Sequence, residues 1–394
     1  FSQPHVRDVW QSRFGIEELR GPQFVAASRE WFLNTAKSFG FNSLGVHNAR
    51  HITNHPKPSL PYIQPITFVS IAHWTKDVPD EAFLDVFGKE FADHCDHLAQ
   101  TIASPIRNDP YLIGYAMTDC PLLTDEDSRE RVDVIGGERR PSRTTWPRRL
   151  RNQAASTSGK QAYVALMRDL YHNEITAFNK TYRTDFDSFD ALASANNWRL
   201  ASDRSNGNES RDNIEFLKRI VDRYYSVTRD SIRRYDTNHL FLGDKLNGNT
   251  DSLDTVLPIT AKYTDIIFYQ MYGKYADQKP GLDRWSKVAD LPIINGDSSF
   301  TMITDTMPRP FGPVADDERQ RADWTAEFFR RAFARSEFVG WHYCGLVDLT
   351  NNMPNKRGRQ HSGLIRETGE PYATTMKTLR HCADEMYQIA SVNS

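Results

Sequence analysis

Apolar positions in this chain follow two rhythms. Apolar-rich runs, Asn42–Val46, Tyr62–Ala72, Tyr111–Met117, His239–Gly243, Asp265–Met271, Pro292–Gly296 and Phe338–Tyr343, predict strands. Between them, apolar residues recur three and four apart over 22–38, 81–103, 159–182, 211–235, 251–262, 316–335 and 372–391. That spacing predicts helices. Shorter helices are expected at 187–196 and soon after Tyr272, and residues 1–20 read as polar and irregular. Seven strands, each followed by a helix, imply a parallel sheet with right-handed crossovers. With the unclear start counted as an eighth unit, the expectation is α/β: one (β/α)8 TIM barrel over residues 1–394. A long insertion, 118–210, leaves it after the fourth strand.

Composition narrows the picture. The chain has 394 residues, a formal net charge of −2 and 12% aromatic residues. That balance gives no basic surface for a polyanion, so no nucleic-acid partner is expected. The longest apolar runs are strand-sized, so no membrane-spanning helix is expected. The chain begins with Phe1 rather than Met. Localisation therefore stays open, with secretion or periplasmic export following if a leader was removed. No GxGxxG follows the first strand and no GxxxxGK[ST] occurs, which argues against dinucleotide and P-loop chemistry. No cofactor is expected, and nothing sets an oligomeric state. The four cysteines have no CxxC or zinc spacing. Cys95 and Cys382 fall in helices as core thiols, whereas Cys120 and Cys344 lie at or near strand ends. Arg139, Arg140, Arg143, Arg148, Arg149 and Arg151 crowd one stretch with Trp146 and Pro147. It reads either as a solvated or acid-paired segment, or as a lid for an anionic or sulfated substrate.

The candidate chemistry sits where the strands stop. Pro121 cannot donate to a ladder, so the run from Tyr111 ends at Thr118, Asp119 and Cys120. In a barrel, C-terminal strand ends line one mouth. That mouth would hold His47 and Asn48, His73 and Trp74, Asp119 and Cys120, Asp244, Gln270 and Tyr272, Asp297, then Trp341, His342 and Cys344. Asp348 and His361 follow in the last loop. Asp119 and Asp297 end strands three units apart and are expected to face each other. Facing carboxylates in a groove of Trp, Tyr, His and Asn suit glycosidic bond cleavage. Trp74 and Trp341 serve either as sugar platforms or as barrel core. Asp244 is either a mouth carboxylate or a partner of Lys245. A metal-dependent hydrolase is a third option, since His and Asp at strand ends also build metal sites. No His-x-His ends the first strand, and no metal ligand is assigned.

The strand-end stretches Gly40-Phe41-Asn42-Ser43-Leu44-Gly45, Tyr111-Leu112-Ile113-Gly114-Tyr115, His239-Leu240-Phe241-Leu242-Gly243, Pro292-Ile293-Ile294-Asn295-Gly296-Asp297, Val339-Gly340-Trp341-His342 and Pro371-Tyr372 run in one order over roughly residues 30–380. Their set resembles the clan A glycoside hydrolases, above all the agarase-like family 50. The resemblance implies a barrel that hydrolyses a carbohydrate, with a marine-type galactan (agar or carrageenan) as the substrate class. In that family the fourth strand ends in Asn-Glu, the Glu being the acid/base, and the seventh ends in a nucleophilic Glu. Laid on this chain, Asp119 takes the Asn position, Cys120 takes the first Glu position and Asp297 the second. The reading is then an aspartate pair, Asp297 as nucleophile or base and Asp119 as acid, with Cys120 or a histidine as a weaker proton source. The alternative is a barrel that binds saccharide without cutting it.

Overall fold

The computed structural model describes residues 4–48, 60–73, 78–125, 144–196, 198, 206–349 and 360–391. In chain order the elements begin with helices α1 (Pro4–Phe14) and α2 (Gly21–Ser38), strand β1 (Tyr62–Pro65), α3 (Lys89–Ile102) and β2 (Leu112–Asp119). Then come α4 (Trp146–Arg151), α5 (Ser158–Leu170), α6 (Ile175–Tyr182), α7 (Phe189–Ser194), α8 (Gly207–Arg233), β3 (Leu240–Asn247) and α9 (Ser252–Thr260). The chain ends with β4 (Ile267–Gln270), α10 (Tyr275–Val288), β5 (Ile293–Ser298), β6 (Thr301–Met302), β7 (Val314–Ala315), α11 (Glu318–Phe333), β8 (Phe338–Tyr343) and α12 (Ala373–Ser391).

The chain folds as two compact units, one made of Phe1–Gln64, Asp109–Gly114 and Ile266–Ser394, the other of Pro65–Asn108 and Tyr115–Asp265. The first unit is built on β4, β5 and β8, which pair in parallel with Tyr269 beside Asn295 and Asn295 beside Trp341. Close strand packing dictates its glycines. A Cβ on Gly296 would lie 2.0 Å from the Phe268 ring, and one on Gly340 would lie 2.7 Å from Ile294. Helices α11 and α12 pack along each other, burying Ala326, Phe329 and Cys382. Residues 4–14, expected to be irregular, form a helix. Trp10 and Phe14, four apart, share its face, and Trp10 is fully buried against Trp31 with its indole N–H on the Glu367 carbonyl at 2.9 Å.

The second unit is organised by α8. Its buried face carries Phe216, Leu217, Ile220, Val221, Tyr224 and Tyr225, the stripe expected of an amphipathic helix. Helices α3, α4 and α9 pack on it. Arg148 and Arg151 of the arginine-rich stretch are buried here. Arg151 pairs with Glu209 at 3.0 Å and donates to the Asn213 side chain, while Arg148 donates to the Asp125 carbonyl at 2.9 Å. Of the two readings of that stretch, these two arginines follow the acid-paired one. Arg139, Arg140 and Arg143 lie outside the described residues.

Several boundaries shift for identifiable reasons. The expected strand at 42–46 is reduced to a single bridge from Leu44 to Tyr62. The run from Tyr62 holds its ladder only to Pro65, where a missing N–H stops it. The expected helix 159–182 breaks into α5 and α6, with His172 and Asn173 between them in the left-handed region (φ 53° and 62°). Strand β3 runs on to Asn247, so Asp244 and Lys245 lie inside it rather than beyond it. The architecture is mixed α/β on parallel strands. Among the described residues six strands have four residues or more, short of the eight expected.

Candidate active site

In the first unit the chemistry centres on Asp297, next to last in β5 and 7% exposed. The Tyr272 hydroxyl, just past β4, donates to its Oδ1 at 3.0 Å. His47 places Nε2 3.3 Å from its Oδ2 with half of its own side chain exposed. The backbone N–H of Asp297 donates to the Asn295 side chain, which is itself tied to Gln278 at 3.1 Å. Each carboxylate oxygen thus has a side-chain partner, Tyr272 on Oδ1 and His47 on Oδ2. Burial pushes the Tyr272 phenol well above its usual range, and the negative Asp297 adds to this. Tyr272 therefore stays a proton-bearing donor at neutral pH.

A second layer surrounds this trio. The Phe311 ring packs on Tyr272 with centroids 4.4 Å apart and on His361 at 5.7 Å. Gly312, at φ 106°, lets that loop lie close, since a Cβ there would press on Tyr272 at 3.2 Å. His342 fills the space beside Gly45, where a Cβ would sit 2.9 Å from its Nδ1. Asn48 turns back to donate to the Gly45 carbonyl, fixing the turn that presents His47. Cys344 lies 3.9 Å, sulfur to Nδ1, from His361. Gln270 ends β4 and is buried.

Trp341 and Asp348 have structural partners in the same unit. The Trp341 indole N–H donates to Ser298 Oγ at 2.8 Å, and its ring packs on Phe328. Asp348 accepts from the Gly363 N–H at 2.6 Å and the Tyr372 hydroxyl at 2.7 Å. Burial raises its carboxyl above the usual range.

In the second unit the end of β2 is gripped by two adjacent residues of β3. Successive strand residues point to opposite faces. On one face Lys245, 1% exposed, sets Nζ 3.0 Å from Asp119 Oδ1. On the other, Asp244 turns toward α8. Its Oδ1 accepts from the Thr118 N–H at 2.9 Å and the Tyr224 hydroxyl at 3.1 Å. Its Oδ2 is buried as well, and burial raises its carboxyl to about 7. Lys245 thus pairs with Asp119 and not with Asp244. Cys120, 2% exposed, adopts φ 47°. Its N–H donates to the Lys245 carbonyl and its carbonyl accepts from the His73 N–H. Trp74 lies outside the described residues.

Sequence reasoning brought Asp297, Tyr272, Asn48, His342 and His361 to one neighbourhood. It set His47 at the mouth without a partner, offered Lys245 only as a mate for Asp244, and did not single out Phe311. For Lys245 the signal existed: alternation within Leu-Gly-Asp-Lys-Leu puts residues 244 and 245 on opposite faces.

No family model matches the chain. Beta-agarase B of Vibrio sp. (strain JT0107) is 24% identical to it over 189 residues, 47% of this chain and 19% of that protein. Among solved structures, an exo-beta-agarase matches 98% of this chain and 51% of its own, with TM-score 0.75 and 17% identity. An agarase matches 98% of this chain and 52% of its own, with TM-score 0.76 and 18% identity. A beta-galactosidase from the psychrophilic Marinomonas ef1 matches 91% of this chain and 57% of its own, with TM-score 0.58 and 13% identity. This chain thus spans about half the length of those structures and about a fifth of the Vibrio protein. It carries the fold that the agarase and galactosidase structures share.

Proposed function

We propose that the chain is a glycoside hydrolase acting on a poly- or oligosaccharide of galactan type. The observation that carries the reading is Asp297, a buried carboxylate at a strand end, aimed by Tyr272 and His47. A carboxylate so held is ready to attack an anomeric carbon or to activate a water. Asp119 serves as the second carboxyl, and the proton for the leaving oxygen comes from its ion pair with Lys245, whose Nζ lies 3.0 Å from Oδ1. The agarase and galactosidase names borne by proteins of this fold support a galactan as first choice.

Both carboxyls come from aspartates, each one methylene shorter than glutamate, which withdraws each by about 1.5 Å. Wild type is expected to release reducing ends from agarose or carrageenan, and Asp297→Asn to lower the rate by about 10³-fold or more. Proton NMR of the first-formed anomer reads the stereochemistry. A wild type inert on galactans, glucans and mannans alike overturns the hydrolase reading.

A second reading has its own observation. Cys120, in the position of the family's acid/base Glu, is buried, and Asp119 is engaged by a buried cation. A mouth so altered binds saccharide without cutting it. Calorimetric binding of an oligosaccharide with no reducing ends released would select this reading.

A further inference from the structure

The first unit holds a nucleophile that the hydrolytic scheme does not use. Cys344 follows β8, and its backbone N–H is pinned to the Ser298 carbonyl at 3.0 Å. His361 is pinned on the other side by reciprocal backbone bonds with Leu349, at 2.9 and 3.1 Å. These anchors aim thiol and imidazole at each other, with Sγ 3.9 Å from Nδ1, within reach for a sulfur hydrogen bond. Phe311 and Tyr272 pack around the imidazole and fix its plane. Cys344 is half-buried, whereas Cys95, Cys120 and Cys382 are at most 2% exposed. The thiol also neighbours the Tyr272 hydroxyl, the group that donates to Asp297.

We propose that Cys344 and His361 form a nucleophilic thiol–imidazole pair, a site for covalent modification by small carbon electrophiles such as α-haloacetamides. The adduct lies against Tyr272 and disables Asp297. In the step, Sγ attacks the carbon that bears the halide and an S–C bond forms. The carbon–halogen bond breaks and halide departs with its electron pair. The thiol proton passes to His361 Nδ1 and then to water. An imidazole in contact lowers the cost of forming the thiolate, which is the reactive species. The other three thiols lack access.

The pairing stands on geometry alone. Its consequence for Asp297 rests on the hydrolase reading. The test treats native protein with iodoacetamide at neutral pH and maps the adducts by mass spectrometry. Cys344 is expected to be carboxamidomethylated first, about tenfold faster than free N-acetylcysteine, while Cys95, Cys120 and Cys382 stay unmodified until the protein is unfolded. His361→Gln is expected to slow labelling at Cys344 by about the same factor. Labelling of Cys344 no faster than of the free thiol overturns the proposal, a result that wild type alone delivers even if the variant fails to fold. Equal rates in wild type and a folded His361→Gln overturn it as well. Where galactan cleavage is measurable, alkylation is expected to abolish it in wild type and to leave the rate of Cys344→Ser, whatever that rate is, at its value before treatment. Cleavage that survives full labelling overturns the link to Asp297. An inert wild type overturns the hydrolase reading and that link with it, while the labelling rates still decide the pair.

Discussion

At the scale of single residues, Lys245 governs how Asp119 can be tested. A fully buried ammonium needs a counter-charge, and Asp119 provides one at 3.0 Å. Asp119→Asn keeps the shape but removes the charge, which leaves Lys245 buried beside a neutral amide. The expected cost is about 3 kcal/mol of stability, read as a drop in the denaturant midpoint. Lys245→Met combined with Asp119→Asn is expected to recover most of that loss; a double variant no more stable than the single would show that the ion pair is not its source. Asp297→Asn keeps an amide oxygen to accept from Tyr272 and alters only the pairing with half-exposed His47, so its cost in stability is expected to be smaller. Activity lost in that variant therefore reports on chemistry. Asp244 makes a different prediction. Burial raises its carboxyl from 3.8 to about 7, so between those values the folded state holds a proton that the unfolded chain has released. Its contribution to stability is full below about pH 4 and is lost as pH rises through about 7, by at most about 1.4 kcal/mol per unit. Asp244→Asn is expected to flatten this slope in urea unfolding measured from pH 4.5 to 7.5. An unchanged slope would place the titration elsewhere.

At the scale of elements, close packing in the first unit gives a sharp prediction. Strand β5 passes so near Phe268 that only a hydrogen fits at position 296. Gly296→Ala is expected to destabilise by about 1–3 kcal/mol through overpacking, visible as a lowered melting temperature. The change lies next to Asp297, so it is also expected to disturb the Tyr272 contact. The elements show why the strand ends were easier to read than the residues packed around them. Asp297 and Tyr272 were legible because an apolar run stops where a polar residue begins. The helix in residues 4–14 was not, because two aromatics four apart are too sparse a stripe to stand out among polar neighbours. The short β1 and the bridge at Leu44 follow from prolines and loop contacts that apolar runs do not reveal. Phe311 escaped notice because its role depends on a loop folding back over Tyr272. No local pattern encodes that return.

At the scale of the whole molecule, alternating runs and helical stripes were enough to predict mixed α/β architecture on parallel strands. Closure to eight was inferred by counting, and counting treats every apolar run as a full strand. The roles of the site residues were less legible, because a carboxylate's task depends on its neighbours: Asp119 meets Lys245, and Asp244 meets Tyr224. Composition suggested no membrane-spanning helix, and no described helix is long and apolar enough to cross a membrane.

The phenols buried on carboxylates have a collective consequence under alkali. Tyr272 donates to Asp297, Tyr224 to Asp244, and Tyr171 and Tyr182 to Asp212. Burial lifts each of these tyrosines above its usual range. Above pH 10 the unfolded chain sheds these protons while the folded protein retains them, so stability falls steeply with rising pH. Ultraviolet absorbance at 295 nm is expected to show a small early phase from accessible tyrosines, then one cooperative rise coincident with loss of helical circular dichroism. A gradual rise that precedes unfolding would show the phenols open to hydroxide. In effect the protein carries its own optical indicator of alkaline collapse.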